Sequence, residues 1–302
     1  MPDDCSLLTV LLSSMSVSAP FLPTPDELTQ GLRGALPGFQ QTDWVARTVS
    51  TNAELLARAR QVSVPARPWL LGAHLQEAGR GRAGRTWQHR EGANLMFSCA
   101  FDVFMPSRLL PALSPLAGVA ACEGLRQWLN PALREHLVMK WPNDLQWRMG
   151  KLAGILVEVT RAGAAKGSDD HYIVIMGIGL NLDDARSLSQ ALDRRVADWR
   201  EVVGEDADTA SVSVQELVVS IARAWQSSLQ RVVRDGLGDL PQRHAVVDAL
   251  VWQVVDIIES DRVIQSGIAC GVDEYGRLLL RTPSAVQPVT VGEVSARTHT
   301  PL

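Results

Sequence analysis

Cysteine is scarce in this chain of 302 residues, with four in all: Cys5, Cys99, Cys122 and Cys270. None falls in a CxxC pair and no histidine stands at ligand spacing beside them, so a zinc site is not expected. Cys99 and Cys122 lie in apolar surroundings and read as buried thiols. Nothing demands an oxidising compartment. Long hydrophobic runs are also missing. The run from Leu7 to Leu12 is too short to span a bilayer and lacks the cationic flank of a secretory signal. It is expected to be a poorly ordered extension, with Met15 as an alternative start. No other stretch approaches a membrane span, and a soluble, cytoplasmic protein is expected. An excess of positive charge is absent too: the net charge is −4, which argues against a general nucleic-acid binder. With 46% hydrophobic and 21% charged residues, the chain has material for one large or two unequal globular domains.

Against this mildly acidic background one stretch stands out, Gln76-Glu-Ala-Gly-Arg-Gly-Arg-Ala-Gly-Arg-Thr-Trp-Gln88. Gly79, Gly81 and Gly84 alternate with Arg80, Arg82 and Arg85. Glycine allows positive φ and close approach to a ligand, while arginine forks grip carboxylate or phosphate through paired hydrogen bonds. Trp87 adds a rigid apolar wall. Arginine-glycine tails that bind nucleic acid repeat and are low in complexity. This run occurs once, between apolar strand-like flanks, and reads as an anion-cradling loop.

The remainder divides by pattern. Thr24-Pro-Asp-Glu27 predicts a helix start with a capping box, fading near Gly34. Val49-Ser-Thr-Asn-Ala-Glu54 predicts a second helix capped by Thr51 and closed by Glu54. Strands are expected over Pro68–His74 and Ala93–Val103 on either side of the arginine loop, then a helix over Leu109–Leu129. Pro142 ends a strand and puts Asn143 and Asp144 at a loop tip. Ile155–Val159 and Tyr172–Met176 are apolar on both faces, as covered central strands are. Residues 161–170 connect them, and Gly177 and Gly179 are expected to end the second. Residues 183–208 read as a polar loop carrying an isolated Trp199. Ser213-Val-Gln-Glu216 is a further capping box, opening a helix to about Val233. Short strands follow over Leu250–Ile258, Arg262–Ala269, Leu278–Leu280 and Val289–Val291, with a turn at 273–276, which suggests a small barrel.

Four blocks carry a resemblance: Gly79-Arg-Gly-Arg-Ala-Gly-Arg-Thr-Trp87, Lys140-Trp-Pro-Asn-Asp-Leu145, Lys151-Leu-Ala-Gly-Ile-Leu-Val-Glu158 and Gly177-Ile-Gly-Leu-Asn181. In this order and spacing the chain resembles the biotin–protein ligases, from about Thr48 to Gly292-Glu-Val-Ser295. The resemblance implies an α/β (α+β) fold: a mixed β-sheet catalytic domain with flanking helices, like the class II aminoacyl-tRNA synthetases, plus a C-terminal SH3-like barrel. The divisions expected are residues 1–40 as an extension with one helix, 41–246 as the biotin- and ATP-binding domain, and 247–302 as the barrel. It implies that biotin is activated with ATP to biotinyl-5'-AMP and passed to a lysine of a biotin carboxyl carrier protein or domain. Lys151 and Arg80 would be catalytic. Ser50, Thr51, Asn52, Gln76, Arg80, Gly81, Arg82, Lys151 and Gly154 would bind biotin. Arg80, Arg82, Arg85, Trp87, Lys140, Asn143, Asn181 and Trp199 would serve ATP and the adenylate, with Trp199 stacking on adenine. Magnesium is implied by the ATP chemistry, with no ligands assigned.

Two other readings stay open on sequence: a lipoate or octanoate ligase of related fold, and a biotin-sensing regulator. Trp87 and the Lys-Trp-Pro-Asn-Asp block resemble the biotin enzymes. Some relatives carry a DNA-binding helix-turn-helix before the core; no paired helices or basic recognition face are apparent here, so specific DNA binding is not expected. Membrane association is not expected either, and the assembly is expected to be a monomer or a homodimer. The arginines of the loop repel one another and its glycines lower the cost of disorder. Backbone hydrogen exchange across residues 79–90 is therefore expected to slow when biotin and ATP are added together. Equal protection in both states would count against an anion-ordered loop.

Overall fold

A computed structural model of the chain describes residues 22–61, 65–162, 170–290 and 295–298. The Leu7–Leu12 run, most of the 161–170 connection and Val291 lie outside them. The first helix, α1 (Pro25–Ala35), opens on the expected capping box, with Thr24 and Glu27 satisfying each other's backbone N–H groups. Strand β1 (Gln41–Thr48) follows, then helix α2 (Thr51–Ala59). Here the cap is Ser50 rather than Thr51: the Ser50 hydroxyl accepts from Ala53 N–H at 3.4 Å. Glu54 does not close a box, because its carboxylate accepts from Thr48 Oγ1 at 2.7 Å. Thr51 is thereby released for other partners.

Strands β2 (Trp69–Gln76) and β3 (Asn94–Phe104) flank the arginine loop, and a 3-10 segment, Ser107–Ala112, leads into helix α3 (Leu113–Arg126). The expected helix thus begins later, after Pro111, which lies in the 3-10 segment. Strands β4 (Leu137–Lys140), β5 (Asp144–Trp147), β6 (Gly150–Arg161) and β7 (His171–Asn181) complete one sheet in the order β1-β2-β3-β7-β6-β5-β4. Only β1 and β2 run parallel, so the sheet is mixed. Gly177 and Gly179 do not end β7, which continues to Asn181.

Both faces of this sheet are covered, as the two-sided apolar strands require. On β7, Ile173 and Ile175 turn toward α2 and join Leu55, Ala59, Trp69, Leu71 and Ala100. Val174 and Met176 point the other way, into the main core shared with α1, α3 and α6 (Val214–Asp235). The capping box at Ser213 and Glu216 is present. Residues 183–208 are not a loop throughout. They contain helices α4 (Ala185–Leu192) and α5 (Trp199–Glu205). Their shared anchor is Asp198, whose buried carboxylate accepts from Ala185 N–H at 2.8 Å and Glu201 N–H at 2.9 Å. Helices this short owe their existence to such anchors and to packing rather than to helical periodicity.

After helix α7 (Leu240–Val247), strands β8 (Val254–Glu259), β9 (Arg262–Val272), β10 (Leu278–Arg281), β11 (Val286–Val289) and β12 (Ser295–Thr298) form a small antiparallel sheet ordered β11-β10-β9-β8-β12. Its buried residues, Val255, Ile257, Ala269 and Leu278 among them, are continuous with the main core. Gly276, at φ +70°, seats the turn before β10 against the larger sheet's helices: a Cβ there would lie 2.7 Å from Pro115 and 2.9 Å from Ala112. Its carbonyl accepts from Trp141 Nε1 at 3.0 Å, a buried bond between the two sheets' elements.

Close approach of the paired strands requires Gly72 in β2, where a Cβ would sit 2.1 Å from the Trp44 ring on β1. The Trp44 indole is itself held by His74 Nδ1 at 2.9 Å. Gly72→Ala is expected to destabilise the protein by about 1–3 kcal/mol through overpacking. A urea unfolding midpoint indistinguishable from wild type would show that Trp44 yields without cost.

Candidate active site

The ends of β2, β6 and β7 and the turn between β4 and β5 converge on one cavity of about 250 Å³. The arginine loop forms one wall as a tight hairpin. Gly81 N–H donates to the Arg85 carbonyl at 2.6 Å, Arg85 N–H to the Arg82 carbonyl at 3.2 Å, and Trp87 N–H to the Gly79 carbonyl at 2.9 Å. The reversal uses positive φ at Ala83 (53°) and Gly84 (69°). Trp87 is thereby laid across β6 and β7. A Cβ at Gly154 would lie 2.9 Å from its ring, and one at Gly179 2.5 Å, so both glycines exist to admit the indole.

One end of the cavity is polar and buried. With Ser50 occupied as the cap, Thr51 N–H donates to Gln76 Oε1 at 2.8 Å. Thr51 Oγ1 lies 2.7 Å from Ser98 Oγ, and that hydroxyl donates to Asn52 Oδ1 at 2.6 Å. Asn52 Nδ2 donates to Glu158 at 2.9 Å. Gly177 makes this possible, since a Cβ there would collide with Asn52 Oδ1 at 2.0 Å. The network holds donors and acceptors at set positions in a nearly dry place, where an unmatched ligand group would carry a full desolvation cost.

The other end is cationic. Lys151 Nζ bonds Asp144 Oδ1 at 2.6 Å and stands 5.5 Å from the centroid of the Trp87 ring. Arg82 Nη1 donates to Asn143 Oδ1 at 3.2 Å, and Asn143 is fixed in turn by its bonds to the Ile155 backbone. Burial lowers the pKa of Arg82, opposed by the nearby Asp144 charge. Burial likewise pulls the Lys140 ammonium below its ordinary value; Asp144 opposes this, while Lys151, Arg297 and Arg194 add to it by repulsion. Arg80, Arg85, Arg194 and Arg297 complete the rim, the last coming from β12 of the small sheet.

Every site residue expected from sequence lines this cavity except Trp199. Trp199 is fully buried at the start of α5, in the main core, and an indole packed there does not present a stacking face to a ligand. Ser98, Glu158 and Arg297 were not foreseen. Ser98, a lone hydroxyl in the apolar run Leu95–Ala100, had a visible signal; Arg297 had none, because only the fold brings β12 to the cavity. Asp144, foreseen as part of a loop, proves to be the ion-pair partner of Lys151.

Comparison with known proteins agrees with this geometry. Residues 44–181 match the model of the biotin/lipoate A/B protein ligase family, and residues 253–297 match that of the biotin protein ligase C-terminal domain. The Mycobacterium tuberculosis protein named biotin–[acetyl-CoA-carboxylase] ligase is 32% identical over 275 residues, 90% of this chain and 96% of that one. The chain belongs to the biotin–protein ligase family. The bifunctional ligase/repressor BirA of Escherichia coli is also 32% identical, over 226 residues, and the match spans 74% of this chain but 65% of that protein. The fold agrees with the Aquifex aeolicus biotin protein ligase in complex with biotin and ATP, at a TM-score of 0.65 and 23% identity, covering 86% of this chain and 100% of that one.

The family's ATP chemistry implies magnesium, and the residues present do not form a site for it. Among the described residues no three His, Cys, Asp or Glu side chains gather as metal ligands. Asp144 is the one carboxylate among the described residues that line the cavity wall, and Lys151 already holds it; Glu158 lies behind the wall, bound to Asn52. No helix among the described residues is long and apolar enough to cross a membrane.

Proposed function

We propose that this ligase joins biotin to a lysine of a biotin carboxyl carrier protein or domain in two steps at this cavity. The observation that carries the reading is the joining of a buried polar pocket to a cationic end, with Trp87 between them. The pocket of Thr51, Asn52 and Gln76 offers hydrogen bonds suited to a ureido ring. The apolar dithiolane of lipoate would leave those groups unmatched, a penalty that makes such sites strongly selective. The reading keeps biotin ahead of lipoate for this reason.

In the first step a biotin carboxylate oxygen attacks the α-phosphorus of ATP. The new bond is acyl-oxygen to phosphorus; the bond to the β-phosphate oxygen breaks and pyrophosphate leaves. Two anions must approach despite their repulsion. Lys151, Arg80 and Arg82 are assigned to hold them, with Gly81 leaving room for the backbone and Gly154, by admitting the Trp87 indole, shaping the place of the bicyclic ring. Fixed donors aimed at developing charge typically contribute 10²–10³-fold each. Arg85, Trp87, Lys140, Asn143 and Asn181 are assigned to the nucleotide side. In the second step the neutral lysine amine of the carrier attacks the acyl carbon, loses a proton, and AMP departs with the bridging oxygen. The part of the chain from about residue 247 onward is assigned as the C-terminal domain, with residues 41–246 as the catalytic one. Dependence on ATP and on a carboxylase subunit assigns the reaction to the cytoplasm.

The test is incubation with ATP, labelled biotin or lipoate, and a carrier domain. Biotin label on the carrier, with little from lipoate, is expected; lipoate label alone would transfer the chain to the sister activity. Lys151→Ala is expected to keep its fold and lose adenylation by orders of magnitude, read as biotin-dependent exchange of pyrophosphate into ATP. Near-wild-type exchange would remove Lys151 from the mechanism. The lowered pKa of Lys140 has a signed consequence. Its charge is complete below the folded pKa and is lost as pH rises through it, earlier than for a lysine at the ordinary 10.5. The KM for ATP in the exchange assay is expected to climb on that alkaline limb, and Lys140→Arg, which stays charged, is expected to flatten it. Superimposable limbs would separate Lys140 from nucleotide binding.

A further inference from the structure

A line of buried side-chain amides runs behind the cavity, from the exit of the arginine loop to the backbone of Lys151. Asn94, the first residue of β3, is wholly buried and stands directly opposite Asn181, the last residue of β7. Asn94 Oδ1 accepts from Arg90 N–H at 3.0 Å. Asn94 Nδ2 donates to Asn181 Oδ1, also at 3.0 Å. Asn181 Nδ2 donates to the Lys151 carbonyl at 3.1 Å and the Ala197 carbonyl at 3.0 Å.

The direction of this relay is imposed by its ends. A backbone N–H only donates, so Asn94 must turn its oxygen toward Arg90. Backbone carbonyls only accept, so Asn181 must turn its nitrogen toward Lys151 and Ala197. The two amides then meet nitrogen to oxygen, and each bond requires the orientation of the others. Neither Asp, which cannot donate, nor a shorter apolar residue satisfies position 94. An unpaired buried amide on either side is costly. The Lys151 end is further pinned, since Lys151 N–H donates to Arg195 O at 3.2 Å and Ala197 N–H to Lys151 O at 3.0 Å.

We infer that Asn94 is a positioning residue for adenylation: through Asn181 it sets the register between the arginine loop and the Lys151 backbone, which face each other across the cavity. Asn94 itself does not line the cavity, and it makes no hydrogen bond to Thr51, Asn52 or Gln76. This inference rests on the proposed ligase reaction. It separates two quantities that a general loss of structure would move together, the use of ATP and the affinity for biotin.

The experiment compares wild type, Asn94→Ala, Asn181→Ala and the double variant in biotin-dependent pyrophosphate exchange, with biotin Kd and thermal midpoint measured on each. Asn94→Ala is expected to lower kcat/KM for ATP roughly tenfold, the scale of one lost buried interaction, while biotin Kd stays within about twofold. Because Asn94 acts through Asn181, the double variant is expected to be no worse than Asn181→Ala alone. Asn94→Ser, whose hydroxyl both accepts and donates, is expected to recover part of the loss and replaces the alanine variant should that one not fold. Unchanged kcat/KM for ATP, an equal loss of biotin affinity, or additive single effects would each overturn the inference. Failure of the wild type to catalyse biotin-dependent exchange would remove the ligase reading and this inference with it; an active wild type with an unaffected Asn94→Ala removes the inference alone.

Discussion

The structure depends on keeping several cations close together in a partly dry cavity while leaving them able to receive anions. Like charges in such a place repel more strongly than in water, and each loses hydration. The lowered pKa values of Arg82 and Lys140 register that cost. Asp144 offsets it. Its carboxylate, 2.6 Å from Lys151, is the one fixed negative charge among the described residues of the cavity. In the proposed reaction the anionic substrates would complete a neutralisation that Asp144 only begins. That is a physical reason for an acidic residue to stand among these cations.

The fold serves this arrangement by supplying ends of strands. β2 delivers Gln76 and the arginine loop, β6 carries Lys151 as its second residue, and β7 finishes at Asn181. Side chains on strand ends are fixed by the sheet behind them, while the glycines at 154, 177 and 179 remove the Cβ atoms that would block Trp87 and Asn52. The small C-terminal sheet shares the core and brings Arg297 to the rim, so the site draws on both parts of the molecule.

Much of this was legible in the sequence because it rests on local rules. The capping boxes at Thr24 and Ser213, the two-sided apolar strands and the glycine-arginine loop all declare themselves within a few residues. What was not legible depended on contacts distant in sequence. The Thr51 cap was misplaced by one position because Thr51 N–H had a partner, Gln76, twenty-five residues away. The helices of residues 183–208 are held by Asp198 reaching back to Ala185, which no periodicity reveals. Trp199 looked available for stacking because an isolated aromatic in a polar stretch carries no sign of which way its helix faces. Arg297 and the Asn94–Asn181 pairing arise only from sheet register.

The central claim, that the polar pocket and the cationic end hold the two halves of one adenylate, is tested most directly by a crystal structure with a non-hydrolysable sulfamoyl analogue of biotinyl-5'-AMP. The account predicts the ureido ring among Thr51, Asn52 and Gln76, and the sulfamoyl group between Lys151 and the arginine loop. An analogue bound in the reverse sense, or outside this cavity, would contradict it.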